Sequence, residues 1–262
     1  MRISVFTSNQ PRHLSFIARL ASVCDDVIAV QECNAAIPDF SAQSPILRDY
    51  FQHVTRAEAE VFGGLRFSAK NVSTLSLRMG DVSRVPLEVL APALTADICV
   101  VFGASYIKGA LCEALVAKKA YNLHIGISPY YRGAATNFWA LYDQRPEFVG
   151  ATVHLLTKGL DSGPMLFHTL PRTEAVDPFL LGMKAVRSAH DGFIARVIEG
   201  GADEWDPLPQ DKSRELRHSK TAEFTESIAA EYLKRVAAPS FIEEKLAQRS
   251  LDQFVRPFIS PS

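Results

Sequence analysis

The chain has 262 residues, of which 47% are hydrophobic, 22% charged and 10% aromatic. That balance belongs to a folded globular protein and excludes disorder, collagen-like repeats and disulfide-stapled miniatures. Lys and Arg total 28 against 29 Asp and Glu, a net charge of -1, so no basic excess exists to hold a nucleic-acid backbone.

In chain order, residues 3–6, 27–30, 73–77, 98–102 and 121–125 are short β-branched runs that predict buried strands. Residues 14–23, 86–94 and 107–116 space their apolar side chains at three and four, which predicts helices between them. Strands alternating with helices imply an α/β fold with an open, doubly wound, mainly parallel sheet. Such sheets bind ligands beyond the carboxyl ends of their strands. Two further strands are predicted at residues 151–156 and 165–170, around a turn-rich loop Lys158-Gly159-Leu160-Asp161-Ser162-Gly163. Asp177-Pro178 opens a helix that Gly200-Gly201 closes. Beyond it, residues 222–236 place Phe224, Ile228, Tyr232, Leu233 and Val236 on one helical face. A last helix starts at a capping box, Ser240-Phe241-Ile242-Glu243. The organisation expected is a catalytic domain over residues 1–200 and a small helical C-terminal extension over 201–262. The apolar faces of that extension need a partner, either the main domain or a second subunit.

No apolar run approaches the roughly 18 residues needed to span a bilayer. Residues 1–6 turn polar at Thr7-Ser8-Asn9-Gln10 and do not read as a signal peptide, so a cytoplasmic protein is expected. Cys24, Cys33, Cys99 and Cys112 form no C-x-x-C pair and are expected as reduced thiols.

The stretch Asn122-Leu123-His124-Ile125-Gly126-Ile127-Ser128-Pro129-Tyr130-Tyr131-Arg132-Gly133 carries the most chemistry. Residues two apart on a strand share a face, so Asn122 and His124 present their side chains together. An amide donor beside an imidazole suits a developing oxyanion and a proton in transit. Downstream, Gly150-Ala151-Thr152-Val153-His154 is followed by Asp161, a carboxylate able to orient the ring of His124. Each piece alone has a plain structural reading: a satisfied N-x-H pair, a turn aspartate, a core histidine at 154.

Together, N-L-H-x-x-x-S-P-x-Y-R-G and G-A-T-V-H-x-x-x-x-x-x-D-S-G-P resemble the formyltransferases that use 10-formyltetrahydrofolate, over roughly residues 95–170. The resemblance implies catalytic roles for Asn122, His124 and Asp161, with Asn122 polarising the formyl carbonyl, His124 moving a proton and Asp161 holding His124 or a water. It implies a folate site at Gly103, Ser105, Tyr106 and Ile107 and at Thr157, Lys158, Gly159 and Leu160, and no metal. Two departures stand out. Gly126 occupies a place where many family members have serine, and the first strand–helix loop lacks glycine but keeps Ser8, Asn9 and Arg12. The wording around 103–108 and 124–139 is most similar to the sugar N-formyltransferases. It implies a nucleotide-linked amino sugar as acceptor, of the 4-amino-4,6-dideoxy type found in surface polysaccharide such as O-antigen, GDP-perosamine being one such sugar. Ser8, Asn9, Arg12, Tyr130, Tyr131 and Arg132 are the expected acceptor contacts, with a homodimer formed through the extension. Alternatives are glycinamide ribonucleotide or methionyl-tRNA as acceptor, a formyltetrahydrofolate hydrolase, and a binding module with no turnover.

Overall fold

A computed structural model describes residues 1–35 and 43–261. Strand β1 (Arg2–Ser8) is buried at every residue after Arg2, as a strand covered on both faces of a parallel sheet must be. Helix α1 (Pro11–Val23) leads to β2 (Asp26–Cys33), and α2 (Pro45–Phe62) to β3 (Val72–Arg78). Helix α3 (Leu87–Leu94) precedes β4 (Ile98–Phe102), and α4 (Gly109–Ala117) precedes β5 (Tyr121–His124). These five strands pair in parallel in the order β3-β2-β1-β4-β5, the arrangement that the strand–helix alternation predicts.

After β5 come β6 (Tyr131–Gly133), α5 (Thr136–Tyr142), β7 (Ala151–Leu155) and β8 (Met165–Leu170). Strand β7 joins the sheet antiparallel to both β5 and β8. Helix α6 (Pro178–Phe193) begins where Asp177 accepts from the N–H groups of Phe179 and Leu180. Strand β9 (Arg217–Ser219) pairs with β6 in a separate two-stranded sheet. Helix α7 (Glu226–Lys234) is capped by Thr225, which accepts from the N–H of Ile228. Helix α8 (Pro239–Ala247) starts with Pro239 in its first turn and Ala238 at its cap. The capping box expected at Ser240 therefore does not form, because the proline begins the helix earlier. Strand β10 (Phe258–Ile259) closes the order by pairing in parallel with β8.

The apolar faces of α7 and α8 pack within the chain. Ala229, Tyr232, Ile242 and Leu246 are buried in one cluster with Tyr50, Trp139, Phe148 and Phe179. Of the two partners the sequence left open, these faces use the main domain. The four thiols are free; Cys99 and Cys112 are buried and the other two partly so. Among the described residues no helix is long and apolar enough to cross a membrane.

Burial also makes the fold acid-sensitive. Burial holds His13 and His190 well below the ordinary imidazole value and brings His154 and His168 to about 4. The unfolded chain therefore takes up protons first as pH falls through about 6.5, and the stability present above that pH is progressively lost. Each such histidine steepens the loss by about 1.4 kcal/mol per pH unit. His190 is fully buried, has no partner among the described residues for either ring nitrogen and stacks on Phe16 at 4.7 Å. Phenylalanine at 190 should flatten the fall of melting temperature between pH 6.5 and 4.5, and an unaltered slope would refute this account.

Candidate active site

Asn122 and His124 lie on β5, two residues apart as the alternation requires, and the antiparallel register sets His154 of β7 opposite Asn122. The loop after β7 returns Asp161 to the same place. Its Oδ2 faces Nδ1 of His124 at 3.4 Å and its Oδ1 accepts from the amide of Asn122 at 3.2 Å. Asp161 has a φ of 44°, a left-handed conformation that Asp and Asn tolerate better than other side chains. Burial alone would raise its carboxyl, but the His124 imidazole, with His154 and the Asn122 amide, outweighs burial and holds it at about 2. Asp161 is thus an anion at neutral pH.

Elimination fixes the orientation of the network. Nδ1 of His154 lies 2.8 Å from the carbonyl of Leu155, which only accepts, so Nδ1 carries the proton. Nε2 of His154 then has a lone pair and accepts from Nδ2 of Asn122 at 3.0 Å. Burial keeps this ring neutral, near 4. Asn122 therefore spends one amide hydrogen on His154 and the other on Asp161, and its Oδ1 is left over. To meet an oxyanion as expected, the Asn122 NH₂ group must give up one of these bonds, of which the one to Asp161 is the longer. The anion likewise calls for the proton of His124 on Nδ1, leaving the lone pair on Nε2. That atom is buried with no partner among the described residues.

A cavity of about 690 Å³ opens onto these groups. Asn122, His124 and Asp161 line it, together with Gly103, Ser105, Tyr106 and Ile107 on one segment and Thr157, Gly159 and Leu160 on another. Gly103 has a φ of 69°, and a Cβ there would lie 2.2 Å from the ring of His13, so only glycine fits. Ser105 is anchored by a carboxylate that sequence reading missed. Glu32, fully buried, accepts from its backbone N–H at 2.6 Å and its hydroxyl at 2.9 Å, and from the N–H groups of Gly80 and Val82. Lys158 does not line the cavity. Its ammonium pairs with Glu113 at 2.9 Å, and its carbonyl accepts from the Tyr106 hydroxyl at 2.7 Å, which ties the two segments together.

The expected acceptor contacts divide. Ser8 and Arg12 line the cavity, the Ser8 hydroxyl being buried without a partner among the described residues and Arg12 pairing with Glu58 at 2.7 Å. Asn9 does not; its side chain brackets the backbone of Asn34. Nor do Tyr130, Tyr131 and Arg132, which is a correction. All three are buried, with Tyr130 donating to the carbonyl of Gln253, Tyr131 to Asp143, and Arg132 pairing with Glu215 at 2.9 Å. Aromatic packing turns this segment inward, and Tyr50, Phe138, Phe179 and Tyr232 line the cavity instead. Among the described residues no group of three or more His, Cys, Asp or Glu could hold a metal ion.

Residues 53–178 match the formyl transferase family profile. This stretch is a formyl transferase domain. It contains Asn122, His124 and Asp161, and the strands that carry them. The methionyl-tRNA formyltransferase of Synechococcus sp. (strain JA-3-3Ab) is 30% identical over 138 residues, 52% of this chain and 42% of that protein. The chain spans about two fifths of the length of this and of a second curated methionyl-tRNA formyltransferase that it matches. In fold, the formyl transferase domain and its surroundings resemble a 4-N formyltransferase from Francisella tularensis, with a TM-score of 0.54 and 14% identity, covering 85% of this chain and 77% of that one. They also resemble the formyltransferase PseJ from Anoxybacillus kamchatkensis, solved with UDP-4,6-dideoxy-4-formamido-L-AltNAc and tetrahydrofolate. There the TM-score is 0.51 at 15% identity, covering 94% and 100% of the two chains.

Proposed function

We propose that this protein is an N-formyltransferase that uses 10-formyltetrahydrofolate and formylates the amine of a nucleotide-linked amino sugar. The observation that carries the reading is the bare Nε2 of His124, buried at the cavity wall while Asp161 faces Nδ1. The donor supplies the formyl group. Its flat heterocycle suits the wall formed by the backbone of residues 103–105 and the side chains of Ile107, Tyr106 and Leu160, the last two 54% and 57% exposed.

The residues divide the work as their chemistry allows. Asp161 keeps the His124 proton on Nδ1. The lone pair on Nε2 takes a proton from the attacking amine and returns it to the departing nitrogen. The Asn122 amide, exchanging its bond to Asp161 for one to the carbonyl oxygen, meets the negative charge as it develops. The formamido sugar nucleotide bound by the Anoxybacillus protein supports the choice of acceptor.

The test mixes the protein with 10-formyltetrahydrofolate and a panel of nucleotide-linked 3- and 4-amino dideoxy sugars, following tetrahydrofolate by absorbance. Release that depends on an amino sugar is expected, with a rate that falls below neutral pH, because a protonated amine cannot attack. Release without any acceptor would mean a hydrolase, release only with methionyl-tRNA would reassign the acceptor, and a flat profile between pH 5 and 8 would refute the proton path. With asparagine at 124, ligand binding should survive while turnover disappears.

A further inference from the structure

Two phenols on the cavity wall bond none of the described residues. Tyr50 on α2 and Tyr232 on α7 are 8% and 2% exposed and both line the cavity. A tyrosine this buried ordinarily brings its hydroxyl to a partner. The buried Tyr130 and Tyr131 do so here. Neither Tyr50 nor Tyr232 donates to or accepts from any described residue. Tyr121 too bonds no described residue through its hydroxyl, but it does not line the cavity. Burial raises both phenols far above their ordinary value, so they stay neutral and each can donate and accept.

The surroundings narrow what they meet. The two rings lie 6.2 Å apart between centroids. Phe179 stands 5.4 Å from Tyr50 and 5.6 Å from Tyr232, and Phe138 stands 5.8 Å and 5.0 Å from the same pair. Among the described residues Arg12 is the one Lys or Arg lining the cavity, and Glu58 already neutralises it. An anion would find little countercharge in this wall, and a wholly apolar ligand would leave two hydroxyls unbonded. A neutral ring bearing several hydroxyls satisfies both conditions, with its C–H face on the aromatic rings and its hydroxyls on the phenols.

We propose that Tyr50 and Tyr232 form the acceptor subsite of this protein, where their hydroxyls read the ring hydroxyls of an amino sugar held against Phe138 and Phe179. The proposal deepens the formyl-transfer reading and rests on it for the amine. It gives the C-terminal segment, through α7, a part in selecting the acceptor.

The experiment compares wild type with Tyr50→Phe, Tyr232→Phe and the double variant. Calorimetry measures binding of a nucleotide-linked 4-amino-4,6-dideoxyhexose, of the corresponding free amino sugar and of tetrahydrofolate, and turnover gives kcat and KM. Losing one hydrogen bond of this kind should raise the acceptor Kd and KM about tenfold per variant, roughly 1.4 kcal/mol. The tetrahydrofolate Kd should not move. The melting temperature should hold, since neither hydroxyl bonds a described residue. Variants that bind the sugars as wild type does would overturn the subsite, and so would a wild type that binds neither probe. A wild type that binds the sugars yet never releases tetrahydrofolate would instead defeat the formyl-transfer reading and leave the subsite scored by calorimetry.

Discussion

Replacing Asp161 with asparagine is expected to lower kcat by about 10³–10⁴-fold, the scale seen when the anion that orients a catalytic imidazole becomes an amide. The geometry explains why the amide fails in either orientation. Asp161 offers one oxygen to the Asn122 amide and the other to Nδ1 of His124. If an amide oxygen at 161 faces Asn122, its NH₂ faces Nδ1 and drives the His124 proton onto Nε2, so the lone pair needed in the cavity is lost. If the amide flips, two NH₂ groups confront each other. Asparagine accepts the positive φ of 44° at this position, so the loop should survive and tetrahydrofolate should still bind. Single-turnover formyl transfer and a folate Kd, measured together, separate the two effects. A kcat within threefold of wild type would refute the orienting role.

The same network shows where sequence reading ends. Asn122 and His124 are legible because a strand alternates, and Asp161 because a carboxylate stands in a glycine-flanked turn. Which atom of Asn122 faces the cavity is not legible. That depends on the tautomer of His154, which the carbonyl of Leu155 settles only once β7 has paired with β5. The parallel half of the sheet is readable for a simpler reason, since doubly covered strands appear as apolar runs, unbroken at residues 98–102 and interrupted only by Ser4 at residues 3–6. Helix α2 carried its signal in Ser44-Pro45 and the spacing of Leu47, Tyr50, Phe51 and Val54, but its charged outer face masked the pattern. Strands β6 and β9, three residues each, exist because their partners hold them. Tyr130, Tyr131 and Arg132 mislead for a related reason: cations and aromatic rings in a loop look like ligand contacts until packing shows which way the loop faces.

Gly126 is the position where packing and chemistry meet most tightly. A Cβ there would lie 2.1 Å from Oγ1 and 2.7 Å from Cβ of Thr136, and 2.9 Å from Nε2 of His124. Thr136 has little freedom to withdraw, being buried and donating its hydroxyl to the carbonyl of Ile125. Both neighbours must shift, and on His124 the atom displaced is Nε2, which the proposed proton path uses. Gly126→Ser should therefore lose about 100-fold or more in kcat, since small displacements of reacting groups cost that much, and about 1–3 kcal/mol of stability from overpacking. The side chain of Thr136 fills the space that residue 126 leaves, so removing it should restore room. In the double variant Gly126→Ser/Thr136→Gly, stability and kcat should recover by at least tenfold in rate relative to the serine variant alone, a coupling of about 1.4 kcal/mol or more. Thermal melts and kcat for the four corners of this cycle provide the measurement. Additive losses, or a serine variant with wild-type rate and melting temperature, would show that Thr136 and His124 do not share the space beside residue 126.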